Sequence, residues 1–174
     1  HAASSYDHVQ STVMLRLNGL KALLKALFDT GAGVDLIRED AVPNGSVRKA
    51  LKRPVFMAGF NGDTAERVSE LAKIAVQTED GAEFKYRWFY VVKSCNYDVI
   101  LSKGWLNDHL CHWEMSSAKD RVSLMSENQG RITLDSKELQ EKHPSMNMVK
   151  PLQQLKTRKF LEQEIDGEIV GRLI

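Results

Sequence analysis

"KALLKALFDTGAGVDLI", Lys21 to Ile37, sets a single carboxylate, Asp29, between two apolar segments. An ionised carboxylate in such surroundings is costly unless it is partnered. Taken alone, an aspartate at a strand end is most simply a cap or a turn former. Three features point further. The "ALF" before Asp29 and the "LI" after it anchor the loop in the core. Gly31 lets another backbone approach closely, and the Thr30 hydroxyl can hold the loop.

Working outward, "STVMLRLNGLKALLKALFD" reads as a hairpin, because Asn18-Gly19 suits a two-residue turn in which both central positions take positive φ. "LKALLKAL" also has helical propensity. The turn demands an antiparallel return, and Asp29-Thr30-Gly31 reads as a loop, so strand is the better reading. "REDAVPNGSVRKALKRP" is polar, broken by Pro43, Asn44-Gly45 and Pro54, and reads as loop with a short helical turn. "VFMAGFNGDTAERV" is a second hairpin with a tip at Gly59-Phe60-Asn61-Gly62. A third turns at Asp80-Gly81 and returns through "FKYRWFYVV", rich in aromatic and β-branched residues. "YDVILSKGWLNDHL" begins as a buried strand and becomes a short helix. "CHWEMSSAKDRVSLMSENQGRITL" supplies two more short strands. From Asp135 the chain turns polar, with helical charge patterning and Pro144 and Pro151, and reads as a tail or linker.

The expected organisation is a flexible segment over residues 1–10, a mostly β domain over 11–134, and a partly helical tail over 135–174. Seven or eight short strands and one short helix suit a small barrel or sandwich. The 174 residues carry a net charge of +1, so no broad field points to nucleic acid or a membrane surface. No apolar run is long enough to span a bilayer. The chain opens at His1 and reads as a processed product or an excised domain. Two cysteines, Cys95 and Cys111, do not make a disulfide framework, and a reducing compartment is expected.

Asp29-Thr30-Gly31-Ala32 and its surroundings resemble the retropepsins, the aspartic proteases of retroviruses and long-terminal-repeat retrotransposons. "LRLNGLKALLKALFDTGAGVDLI" resembles that family's entry hairpin and catalytic loop, and "VFMAGFNGDT" its flap. "YDVILSKGWLNDH" resembles the strand and helix that follow, in the gypsy-type form. "CHWEMSSAKDRVSL" resembles the closing strands. The resemblance spans Val13 to Leu134 and rests on the order and spacing of these motifs together.

The resemblance implies a small closed acid-protease β-barrel with a short C-terminal helix, and peptide-bond hydrolysis by two carboxylates. Two carboxylates about 3 Å apart cannot both ionise, so they share one proton. This chain has one Asp-Thr-Gly. Asp80-Gly81 and Asp166-Gly167 lack the middle residue. One chain is therefore half a site, and a homodimer is expected, with Asp29 from each subunit at the two-fold axis. By resemblance, Thr30 would cross-link the two loops and Gly31 would contact substrate backbone. Ala32 and Gly59, Phe60, Asn61 and Gly62 would line the cleft for an extended peptide. For Asp35, a turn role and a polar contact at the cleft stay equally open.

The implied substrate is a retroelement polyprotein, with the protein cytoplasmic, in particles or as part of that polyprotein, and the tail leading toward a reverse transcriptase. The alternative is a retropepsin-like dimerisation or peptide-binding module without catalysis. No cofactor is implied. Two departures stand out. Retroviral members carry an acid two places after the Asp-Thr-Gly glycine and an arginine at the start of the late helix. Gly33 and Lys103 hold those places here, and Ser102 stands where glycine is usual. His109, Cys111 and His112 lie close together without further ligands at zinc spacing, so no metal site is expected. Trp88, Trp105 and Trp113 read as packing residues.

Overall fold

A computed structural model describes residues 8–58, 65–116, 119–138, 143–149, 163–165 and 168–170. The strands run in chain order β1 Gln10–Leu17, β2 Leu24–Asp29, β3 Leu36–Arg38, β4 Arg48–Ala58, β5 Glu66–Ile74, β6 Val76–Gln77 and β7 Arg87–Val92. Then follow β8 Val99–Ser102, helix α1 Lys103–Asp108, β9 His112–Met115, β10 Asp120–Met125, β11 Arg131–Glu138, β12 Asn147–Val149, β13 Gln163–Ile165 and β14 Glu168–Val170. The mostly β reading with one short helix therefore holds.

Twelve strands form one sheet along the path β12-β4-β5-β7-β3-β8-β2-β1-β11-β10-β9, with β6 attached to β1, while β13 and β14 pair separately. The path is open: its end strands, β12 and β9, do not pair with each other. The closed barrel expected above is thus corrected to one long sheet that folds around its side chains.

Alternation explains how one sheet serves two cores. On β2, Ala26 and Phe28 face the first apolar cluster, while Leu27 faces the second. On β8, Val99 and Leu101 face the first and Ile100 the second. On β7, Phe89 and Val91 oppose Trp88, Tyr90 and Val92 in the same manner. The central strands are therefore buried on both faces, which is why they read as continuous apolar runs. Phe28 stacks on Trp105 of α1 with ring centroids 6.2 Å apart, and this fastens the helix to the first core.

The entry hairpin forms with a longer connection than a tight turn. Asn18 and Gly19 take φ of 51° and 76°, as the turn residues require. A tight two-residue connection pairs Leu17 with Leu20 and carries His8 to Asp29. Instead Leu15 pairs with Leu24 and Gln10 with Asp29, a shift of two that keeps every side chain on its face. The cause is visible at the turn. Leu17 leaves β2 to pair with Val76 of β6, and Asn18 donates to the Ala75 carbonyl.

Two other expectations change. Residues 48–53, read as loop, are the first half of β4, and Pro54 sits where the β4–β5 register shifts, a position that needs no ladder donor. The described part of the tail is extended rather than helical: β12 runs antiparallel to β4, and β13–β14 make a hairpin. Closing the domain are three strands, β9, β10 and β11, instead of the two expected.

Candidate active site

Asp29 is the last residue of β2, set between two neighbours. In β1 it lies opposite Gln10, and in β8 it aligns in parallel with Ser102. Its residue is 1% exposed. A carboxylate so deeply buried needs donors, and it has them. Oδ1 accepts from the Gly31 amide at 2.9 Å, closing a local Asx turn, and from Ser145 Oγ at 2.9 Å. Oδ2 accepts from Gln10 Nε2 at 3.1 Å. The His8 ring nitrogen Nε2 lies 3.9 Å from Oδ1. None of these partners is a second carboxylate, among the described residues.

Thr30 holds the loop within its own chain. Its hydroxyl accepts from the Val9 amide at 2.9 Å, and its amide donates to the Val9 carbonyl at 3.0 Å. Ala32 is buried in the second core, donates to the Asp29 carbonyl and accepts from the Lys103 amide, so it ties the loop to the start of α1. Gly31 is bare for a spatial reason. A Cβ there would collide with Ser145 Oγ and come within 2.8 Å of the His8 ring. The expected cleft residues Gly59, Phe60, Asn61 and Gly62 lie outside the described residues.

Asp35 lies at the far end of the same loop, 4% exposed. Its Oδ1 accepts from both the Ser102 amide (2.9 Å) and the Ser102 hydroxyl (2.7 Å), and its Oδ2 from Arg87 Nε at 3.0 Å. Another guanidinium nitrogen of Arg87 meets Asp108 of α1. Asp35 therefore braces the loop against β8, β7 and the helix. Ser102 also caps α1, its Oγ accepting from the Trp105 amide at 3.2 Å. The departures at Gly33, Ser102 and Lys103 thus fit together: an acid–arginine pair exists, but Asp35 and Arg87 make it, with serine as the third member.

His109 is turned inward. Its Nδ1 is paired with the Trp105 carbonyl at 2.8 Å, and its ring packs on Trp105 and Phe84 with centroids 4.2 and 5.0 Å away. Burial pushes its pKa down, with the Trp105 carbonyl acting in the opposite sense. Cys111 is half-buried, and burial pushes its thiol up to about 11. His112 is exposed on β9.

Sequence reasoning missed four residues at the Asp29 loop: His8, Gln10 and Ser145 beside Asp29 itself, and Asn147 at Gly31 and Gly33. Gln10 was within reach, because the entry hairpin must bring the start of β1 to the end of β2. His8 lies in the segment read as flexible, and Ser145 and Asn147 lie more than 110 positions away along the chain, beyond a proline, in a stretch with no pattern of its own.

No protein-family model and no curated protein sequence matches the chain. Among solved structures, the chain is similar to the crystal structure of the retroviral protease-like domain of Ddi1 from Leishmania major. That match has 12% sequence identity and a TM-score of 0.42, and it covers 75% of this chain and 94% of the other. A likeness that distant carries no statement about activity, which is argued below from the residues alone.

Proposed function

We propose that this chain is an aspartic endopeptidase that works as a homodimer, each protomer contributing Asp29, on the extended peptides of a retroelement polyprotein. The observation that carries it is Asp29 itself: a buried carboxylate at a strand end, aligned by donors and, among the described residues, without a cation in direct hydrogen-bonding contact. Two such groups brought together at a two-fold axis would share one proton. The ionised one takes a proton from water as the water oxygen attacks the scissile carbonyl carbon. The protonated one donates to the carbonyl oxygen. Collapse of the tetrahedral species breaks the C–N bond, and a proton passes to the leaving amine. Gly31 and Ala32, with Gly59, Phe60, Asn61 and Gly62 of the sequence between β4 and β5, would line the peptide's path, and the β4 edge that β12 takes would accept main-chain pairing. Asp35 serves as the loop's brace in this scheme, away from the peptide.

A second reading, a peptide-binding module without catalysis, is favoured by one observation. Gln10, Gly31 and Ser145 already occupy both oxygens of Asp29. The deciding experiment compares the chain and its Asp29→Asn variant on a peptide library, with sedimentation to follow the dimer. Cleavage lost in a folded, dimeric variant supports the protease. Equal cleavage by both proteins, or cleavage by a monomer, sinks it.

A further inference from the structure

Residues 143–149 lie across the candidate site and touch both of its walls. On one side β12 joins the edge of β4, with Asn147 opposite Ala58, Met148 opposite Met57 and Val149 opposite Phe56. On the other side the segment meets the Asp29 loop. Ser145 Oγ donates to Asp29 Oδ1. The Asn147 side-chain amide donates to the Gly31 carbonyl at 3.1 Å and accepts from the Gly33 amide at 2.7 Å. One amide group thus satisfies a backbone acceptor and a backbone donor together, as a peptide group of an added strand would. Between Ser145 and Asn147, Met146 turns into the second core, 4% exposed, among residues that include Leu27, Ala32, Met57 and Ile100. At its start the segment is held by Gln10, which accepts from the His143 amide and donates to its carbonyl, a carbonyl also reached by His8 Nε2.

These contacts come from opposite walls and are the kinds an extended peptide makes. We propose that residues 143–149 are an internal ligand of the cleft that keeps it closed to other peptides. The site beneath Met146 is then the cleft's selective pocket, and the ligand class is an extended peptide with an unbranched apolar residue flanked by small polar ones. The inference rests on the reading of this cleft as a peptide site. Two physical consequences follow. A tethered occupant is present at an effective concentration on the order of millimolar, so a free peptide must outcompete it. Ser145 of the segment also fills space beside Gly31, so the segment and a second Asp29 loop compete for that space.

The test is binding of a fluorescent peptide with the sequence of residues 142–150, KHPSMNMVK, to the full chain, read by polarisation. Asn147→Ala removes the bridge to Gly31 and Gly33, and Met146→Asp empties the apolar site. Each variant is expected to bind the peptide at least tenfold more tightly than the parent, and a peptide with Asp in place of its first Met is expected not to bind. Should Met146→Asp fail to fold, Asn147→Ala decides. Equal affinity in parent and variant, or no binding to either, overturns the proposal. The protease reading fails separately. A peptide that binds the opened variants and stays uncleaved by mass spectrometry removes the protease and leaves the internal ligand. Equal cleavage of unrelated peptides by parent and variants does the reverse.

Discussion

Asp29 and Asp35 stand six residues apart at the two ends of one loop, both buried, and their surroundings differ in kind. Asp35 faces a guanidinium and two donors from one serine. Among the described residues, Asp29 faces an amide side chain, a backbone amide and a hydroxyl, with the His8 ring nitrogen 3.9 Å away. A carboxylate bonded to arginine makes a charge-assisted pair and serves as a structural anchor. A carboxylate held by neutral donors has no such tie to a cation. The same loop therefore separates an acid tied into an ion pair from an acid held, among the described residues, by neutral donors.

The largest effect that would break this contrast is on catalysis. Asp29→Asn is expected to lower peptide cleavage about 10²–10⁴-fold, the range for removing a general acid–base group. Asparagine keeps one acceptor oxygen for Gly31 and Ser145 and loses the Gln10 bond, so a moderate fall in melting temperature without loss of the fold is expected. If the variant keeps its activity, Asp29 is no more a catalytic group than Asp35.

Asp35→Asn should behave in the opposite way. It strips Arg87 and Ser102 of a shared acceptor inside the fold, and losing one partner of a largely buried pair costs about 3 kcal/mol. Chemical denaturation would show it as a lower midpoint with an unchanged slope. A loss under about 1 kcal/mol would mean that the guanidinium finds water instead, and the bracing role would fall. Ser102→Ala sharpens the same point at smaller scale. It removes the α1 cap and one donor to Asp35 and is expected to cost about 1–2 kcal/mol. If Ser102→Gly matches the parent in stability, the serine adds nothing at a position where glycine suffices.

The contrast between the two acids also marks what a linear reading can reach. The Asp29 loop was legible because its constraints are local: a turn at Asn18-Gly19, apolar strands either side, a glycine after the acid. The β8–α1 junction was legible for the same reason. The Asp35–Arg87 pair was not, because the residues are 52 positions apart and only the alignment of β3 beside β7 brings them together. Residues 48–53 were misread because polar side chains and Pro54 hide a strand that alternates exposed and buried positions beside β5. In the tail, the described strand β12 was not foreseen. The tail's prolines and charges suggest a linker, yet β12 is specified by the free edge of β4 and the open groups of the Asp29 loop. Neither leaves a trace in the tail's own composition.

The smallest effect concerns pH and the Asp35 side of the loop. His109 is buried against Trp105 and Phe84, and Arg87, Asp108 and Asp35 act on it electrostatically. Its folded pKa lies below the ordinary 6.5, with burial the main cause. Between the two values the unfolded chain binds more protons than the folded one, so stability rises with pH. His109 therefore costs nothing above the ordinary imidazole range, and stability declines as pH falls through about 6.5 toward the lowered value. A shared-proton dyad favours acid, so activity and stability would pull in opposite directions. Thermal melts at pH 7.5 and pH 5.5 should show the decline, above the range where most carboxylates titrate. In His109→Gln, which has no imidazole to charge, the decline should be shallower. If the two proteins lose stability in parallel, the His109 ring is not the group that sets the acid limit.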